Sequence, residues 1–308
     1  MVEQMSIKND WDLCKENWLE SRRSDNTRRS YDHALGEFLL FFKVLPEQIT
    51  RQHVRDWANE LKRRGLKSST ICSRLAAISS FFSFACNEYQ VQSYGAWIPL
   101  CENNPAELKS IRPRIVRFAE SRALSTAECK QLLAQCDLSK ISGQRDYVLL
   151  RGYMILGRRN SEWRLAKVCN FEVNDGKVFF RWAGKGKSDE LIMVPESLWK
   201  NLQEYISNSG GRLIEDYIFR GRSGDGPISD KRVGAVVTRY ARLAGIKGRL
   251  RVHDLRHTAA MLRRENGADV EEIRDFLKHS NLAVTQIYLH RLERNFDNRG
   301  EEISRLVY

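Results

Sequence analysis

The chain has 308 residues, 42% of them hydrophobic, which is enough apolar material for more than one buried core. The sequence has no uninterrupted apolar run of about 18 residues, so we expect no transmembrane helix. Its N-terminus lacks a basic segment followed by an apolar one, so we expect no signal peptide and a cytoplasmic protein. The formal net charge of +12 favours a polyanionic partner, of which nucleic acid is the commonest.

Residues 7–93 have the pattern of a helical bundle with basic outer faces. Ser24 and Asp25 follow the first helix and are possible N-caps of the second. Thr50 is a possible N-cap of the third helix, and Gly65 is a natural stop for it. The second helix carries an apolar stripe at three- and four-residue intervals, formed by Tyr31, Leu35, Phe38 and Phe42.

Three prolines, Pro99, Pro105 and Pro113, fall close together after the bundle. Proline ends helices and fixes an extended backbone, which indicates either an interdomain linker or a long surface loop. We favour the linker. The expected organisation is then a helical domain over residues 1–100, a linker over 101–121 and a second domain over 122–308.

The second domain begins with a capping-box pattern at Ser125 and Glu128 and continues with the helix QRDYVLLRGYMILGRR. The segments VCNFEV, KVFFRW and ELIMVP are joined by short turns and predict a small antiparallel meander, the only convincing β region. Helical patterns then resume to the end of the chain. The expected fold class is therefore mainly α with a small antiparallel β-sheet.

Four patches of the second half carry groups that could perform chemistry. They are GRRNSEWR, the glycine-flanked Lys185, the motif HDLRHT with His253 and Arg256, and LKHSNLAVTQIYLH. Taken singly, each has a plain structural explanation, such as a helix-end arginine complementing the dipole or an exposed turn lysine. Taken together, they supply what attack on a phosphodiester needs: arginine forks for the phosphate, a phenol nucleophile, and histidine and lysine for proton transfer.

With these four patches in this order, the sequence resembles the tyrosine recombinases of the phage-integrase superfamily. GRRNSE is similar to the family box G-L-R-x-S-E, and alignment on its Ser-Glu pair places the family's arginine at Arg159. The chain departs from the family pattern at Arg158, where an apolar residue is usual, at Lys278, where glycine is usual, and at Trp163, where leucine or isoleucine is usual. The resemblance implies six catalytic residues: Arg159, Lys185, His253, Arg256, His279 and Tyr288.

The resemblance also implies a mechanism, in which a SAM-like core-binding domain and a catalytic domain close around double-stranded DNA. Tyr288 would attack a phosphodiester and form a 3′-phosphotyrosyl bond while Arg159 and Arg256 hold the phosphate. Lys185 would act as the general acid and His253 as the acceptor of the tyrosine proton. His279 would donate a hydrogen bond to the phosphate. Because the covalent bond conserves energy, no metal or other cofactor is expected.

Four protomers are expected to exchange strands through a Holliday junction, with the C-terminal tail docked on a neighbouring protomer or on its own domain. About ten residues precede the first predicted helix, which favours a Xer-like resolvase or a compact mobile-element integrase. Two other functions stay open, a type IB topoisomerase-like enzyme and a non-catalytic, sequence-specific DNA-binding regulator. The expected DNA contacts are Arg28, Lys67, Ser69, Thr70, Arg74, Lys231, Arg232 and Arg239.

Overall fold

The structure is a computed structural model, and it describes residues 2–93, 95–107, 111–113, 122–182, 190–221, 224 and 226–278. The chain divides into two compact units, Met1–Ala119 and Glu120–Tyr308. The fold is mainly α with small antiparallel sheets, as predicted. The expected boundaries at 100 and 121 stay a prediction.

The first unit is built on amphipathic helices that bury one face each. Trp18 and Trp57, both fully buried, lie in the core that these helices share. Thr50 caps the third helix by accepting a hydrogen bond from the His53 amide, and the chain leaves that helix through Gly65 at φ 73°, as predicted. The helices are α1 (Val2–Glu20), α2 (Asp25–Phe42), α3 (Arg51–Arg63) and α4 (Ser68–Asn87).

Helix α4 is the most apolar of the described helices, and its composition and length would allow it to cross a membrane. One face of it is nevertheless part of the core of the first unit, with Ile71, Leu75 and Ile78 each no more than 2% exposed. The simpler explanation for its apolar character is therefore its central position in the bundle.

The prediction that residues 7–93 are helical was wrong at both ends. Helix α1 already begins at Val2, and α4 gives way to a hairpin of β1 (Gln90–Ser93) and β2 (Ala96–Pro99). Each residue of β2 is exposed, so this strand lacks the alternation that marks a half-buried strand.

The described part of the predicted linker packs on the first unit. Asn104 is buried and donates hydrogen bonds to the Ser79 carbonyl oxygen at 2.9 Å and to the Ser83 hydroxyl at 2.8 Å, both on α4. Its own side-chain oxygen accepts from the Ala106 amide at 2.8 Å. These bonds fix the chain as it leaves the hairpin.

The second unit surrounds the central helix α6 with the other elements. Its sheet has the order β3-β4-β5, and the β3–β4 turn passes through Asp175 and Gly176 at φ 50° and 72°, a conformation typical of two-residue hairpin turns. The elements are α5 (Thr126–Ala134), α6 (Ile141–Leu156), α7 (Asn160–Arg164), β3 (Phe171–Asn174), β4 (Lys177–Trp182), β5 (Glu190–Val194), α8 (Glu196–Asn208), α9 (Asp230–Leu243), α10 (Val252–Glu265) and α11 (Val270–Leu277).

Close packing around Trp163 holds α6 and α7 against the sheet. The Trp163 indole is fully buried, donates to the Leu149 carbonyl oxygen at 3.1 Å and meets Phe180 edge to face. Gly152 on α6 leaves room for it, because a Cβ at that position would lie 2.2 Å from the indole. This contact places the chain between α6 and α7, where the first motif lies.

Candidate active site

The first motif turns sharply between α6 and α7. Gly157 ends α6 in the left-handed conformation at φ 60°, and a Cβ there would lie 2.4 Å from the ring of Phe276. Arg159 then stands at the N-cap position of α7, with its side chain 52% exposed. Its guanidinium is 2.8 Å from a carboxylate oxygen of Glu162, and its amide donates to the other oxygen at 2.9 Å.

Arg256 on α10 is buried and joins two of the motif segments. One Nη donates to the Gly157 carbonyl oxygen at 2.6 Å, and the other donates to the Leu277 carbonyl oxygen at 2.5 Å. Gly157 lies two residues before Arg159, and Leu277 lies two residues before His279. The guanidinium therefore fixes the end of α6 relative to the end of α11.

His253 lies one helical turn before Arg256 on α10 and is exposed. The protein atoms around its ring desolvate it and, with the positive charge of Arg256, lower the pKa of the imidazole below its usual 6.5. Arg159 also contributes to lowering this pKa, so its charge acts on the same ring. The ring of His257 meets that of His253 edge to face at 4.7 Å. Arg159, His253 and Arg256 are thus brought together.

The structure gives the two adjacent arginines different environments. Arg158 is 1% exposed, whereas Arg159 faces outward. The Arg158 guanidinium lies 4.3 Å from the centroid of the Trp182 ring and 5.3 Å from that of Phe276. Of the two, Arg159 is therefore the one that a substrate could reach.

Three of the six expected catalytic residues, Lys185, His279 and Tyr288, lie outside the described residues. Their described neighbours in sequence are Trp182, which ends β4, and Lys278, which follows α11. Among the described residues, no group of three or more His, Cys, Asp or Glu side chains could hold a metal ion.

Most of the expected DNA contacts are exposed, at the N-cap or on the first turn of α4, on α2 or on α9. Arg74 differs, because it is 21% exposed and pairs with Glu37 at 2.5 Å. Arg28 also makes intramolecular bonds, donating to the Arg22 carbonyl oxygen at 3.0 Å. These contacts stay a prediction. The exposed residues are Arg28, Lys67, Ser69, Thr70, Lys231, Arg232 and Arg239.

Sequence reasoning missed the role of Asn160, which follows Arg159. Its side-chain oxygen accepts a hydrogen bond from the Tyr153 hydroxyl at 2.5 Å, and its amide donates to Asp230 at the start of α9. The residue therefore links α6, α7 and α9 beside the first motif. Tyr153 and Asp230 lie far apart in sequence, so no local pattern could have predicted this link.

Two parts of the chain match known protein families. Residues 122–294 match the phage integrase family, and residues 15–89 match the phage integrase N-terminal SAM-like domain. A tyrosine recombinase of Pseudothermotoga lettingae is 30% identical over 278 residues, which are 87% of this chain and 88% of that protein. Tyrosine recombinase XerD of Chlorobaculum tepidum is 30% identical over 289 residues, 90% of each protein.

The fold has solved counterparts. The structure of XerH site-specific recombinase bound to difH substrate, a pre-cleavage complex, has a TM-score of 0.68 at 20% identity, covering 87% of this chain and 78% of that one. The resemblance predicted from the four motifs is confirmed by the family match, which spans more than half of the chain. The chain therefore belongs to the phage integrase family, as a tyrosine-type site-specific recombinase.

Proposed function

We propose that this recombinase cleaves and rejoins double-stranded DNA through a 3′-phosphotyrosyl bond to Tyr288. The observation that carries the proposal is the position of Arg256, which binds the carbonyl oxygens of Gly157 and Leu277. This guanidinium gathers the segments that lead to Arg159 and to His279. The relatives named tyrosine recombinases and the solved recombinase complexes with DNA support the same activity.

Positive charge at this site would stabilise the transition state. Negative charge builds on the non-bridging oxygens when a phosphodiester is attacked, and cationic donors aimed at those oxygens stabilise it. Arginine keeps its charge at any physiological pH and binds phosphate with two parallel donors. Arg256 and Arg159 would hold the phosphate in this way, with His279 as a further hydrogen-bond donor.

The environment of His253 suits the role of proton acceptor. A phenol with a pKa near 10 is a weak nucleophile at neutral pH unless a base removes its proton. Because the pKa of His253 is lowered, its imidazole is neutral near pH 7 and can accept the proton of Tyr288. Lys185 would then protonate the departing 5′ oxygen.

The covalent bond to Tyr288 would store the energy of the broken phosphodiester, so a 5′-hydroxyl of a partner strand can displace it without a cofactor. We infer that four protomers exchange strands through a Holliday junction, with the C-terminal tail docked on a neighbour. The exposed basic residues of α2, α4 and α9 would contact phosphates, giving steep salt dependence of binding. We also infer that the protein acts on DNA in the cytoplasm.

Trapping the covalent adduct tests the proposal. A nicked duplex loses its short 5′-hydroxyl fragment after cleavage, so religation stops and wild-type protein should give an adduct that resists SDS. Tyr288→Phe should form none, because it keeps the ring and lacks the attacking oxygen. Tyr217→Phe is the matched control and should behave as wild type, since Tyr217 belongs to none of the four motifs and its ring lies beside Lys167.

Two results would contradict this assignment. An adduct that persists in Tyr288→Phe would show that another residue is the nucleophile. Loss of the wild-type adduct in EDTA would show that the chemistry depends on a metal ion, which the assigned side chains do not require.

A further inference from the structure

Arg158 is a buried cation at the junction of three segments of the active site. Its Nε donates to the Leu156 carbonyl oxygen at 2.8 Å, and one Nη donates to the Phe276 carbonyl oxygen. The rings of Trp182 and Phe276 lie beside the same guanidinium. One side chain thus contacts the end of α6, the end of β4 and the end of α11.

Each of these segments leads to an expected catalytic residue. Arg158 itself precedes Arg159, Trp182 lies three positions before Lys185, and Phe276 lies three positions before His279. A shift of Arg158 would therefore act on three groups of the site at once.

Burial of this arginine carries a cost that an apolar residue would avoid. Desolvation, followed by repulsion from Arg256, lowers its pKa to about 9, so it is still charged at neutral pH. Replacing buried ionic groups by apolar ones of similar volume is often neutral or stabilising. Stability alone therefore does not explain a charged group at this position.

We propose that Arg158 is a positioning residue for the reaction at the scissile phosphate: its planar guanidinium fixes the ends of α6, β4 and α11, the segments that lead to Arg159, Lys185 and His279. The geometry fits this role, because the edge of the fork binds backbone carbonyl oxygens while aromatic rings lie next to it. The proposal rests on the DNA-cleaving function proposed above.

Arg263 provides a matched control. Its guanidinium lies 3.3 Å from the centroid of the same Phe276 ring, and the residue is partly buried, with its pKa lowered by desolvation to about 10. Its hydrogen bonds reach the carbonyl oxygens of Ile155 at 2.9 Å, in the last turn of α6, and of Ala259 at 3.4 Å in α10, but no carbonyl oxygen of α11. Arg263→Met therefore removes a cation from the same ring but leaves the bond to the Phe276 carbonyl in place.

The test is single-turnover adduct formation on the nicked duplex with saturating full-length protein, alongside DNA affinity by fluorescence anisotropy and the thermal midpoint. Arg158→Met should slow adduct formation on the order of 100-fold, as expected for small misplacements of catalytic groups, with the affinity within about threefold of wild type. Arg263→Met should stay within about threefold of the wild-type rate. Arg158→Lys keeps the charge but not the planar fork, and should be slowed about tenfold.

The outcomes separate the two proposals. If wild type forms no adduct, the proposed function fails. If wild type forms the adduct and Arg158→Met forms it equally fast, or if Arg263→Met is slowed as much as Arg158→Met, the positioning role is wrong. If Arg158→Met does not fold, Arg158→Lys decides, and a wild-type rate in that variant overturns the proposal.

Discussion

Lys278 ends α11 in a conformation that suits glycine better than lysine. Its φ and ψ are 52° and 49°, in the left-handed region, where a residue with a Cβ pays about 1–2 kcal/mol. Glycine avoids this cost but loses about 0.4–1 kcal/mol to the greater entropy of its unfolded chain. Comparing Lys278→Gly with Lys278→Ala isolates the backbone, because both variants remove the exposed amine and its interaction with the helix dipole. We expect the glycine variant to be more stable than the alanine variant by about 1 kcal/mol.

Urea unfolding and calorimetry measure this difference, which corresponds to about 2–4 °C in the thermal midpoint of a unit of this size. Lys43 supplies an internal repeat of the experiment, because it ends α2 of the other unit at φ 54° and ψ 35°. The same pair of substitutions at Lys43 should give the same sign. Equal stability of the glycine and alanine variants at Lys278 would contradict the left-handed backbone conformation of this residue.

Two further predictions concern packing and titration. Gly152→Ala should destabilise the second unit by about 1–3 kcal/mol in urea unfolding, because its Cβ would meet the Trp163 indole. The control Gly36→Ala, whose Cβ would have nothing within 4 Å, should stabilise α2 by about 0.4–1 kcal/mol. An unchanged stability of Gly152→Ala would contradict the close packing. Because the pKa of His253 is lowered, its stabilising contribution is complete above about pH 6.5 and is lost as the pH falls towards the folded-state pKa. The unfolding free energy of His253→Asn should therefore fall less steeply than that of wild type below about pH 6.5, and parallel curves would exclude this assignment.

Local rules predicted the helices of both units because those rules act within a few residues. Thr50 and Ser125 cap their helices as expected, since an N-cap bond needs only a side-chain oxygen and an amide three positions on. The same local rules did not predict the hairpin of Gln90–Ser93 and Ala96–Pro99. Its second strand is exposed on both faces, and Trp97 is 66% exposed, so no alternation of apolar and polar residues marks it.

The sequence supplies candidate residues for the site but not the orientation of its arginines. Arg158 and Arg159 are chemically identical and adjacent, so only the alignment on the Ser-Glu pair favoured the second. The structure distinguishes them through the left-handed turn at Gly157 and through Phe276, more than a hundred positions away. Such a distinction depends on long-range packing, which no local pattern contains.

The end of α11 explains how two arginines can be buried side by side near this site. Its last carbonyl groups carry the negative end of the helix dipole, and those of Phe276 and Leu277 accept hydrogen bonds from Arg158 and Arg256. A phosphodiester would compete with these carbonyls for the donors of Arg256. Arg158 and Arg256 are 1% and 3% exposed, so burial does not distinguish them; Arg158 differs because the rings of Trp182 and Phe276 also lie beside its guanidinium. Under the positioning role proposed for Arg158, its bond to the Phe276 carbonyl would hold α11 while Arg256 exchanges a carbonyl partner for a phosphate, which gives a physical reason for a charged residue at this position.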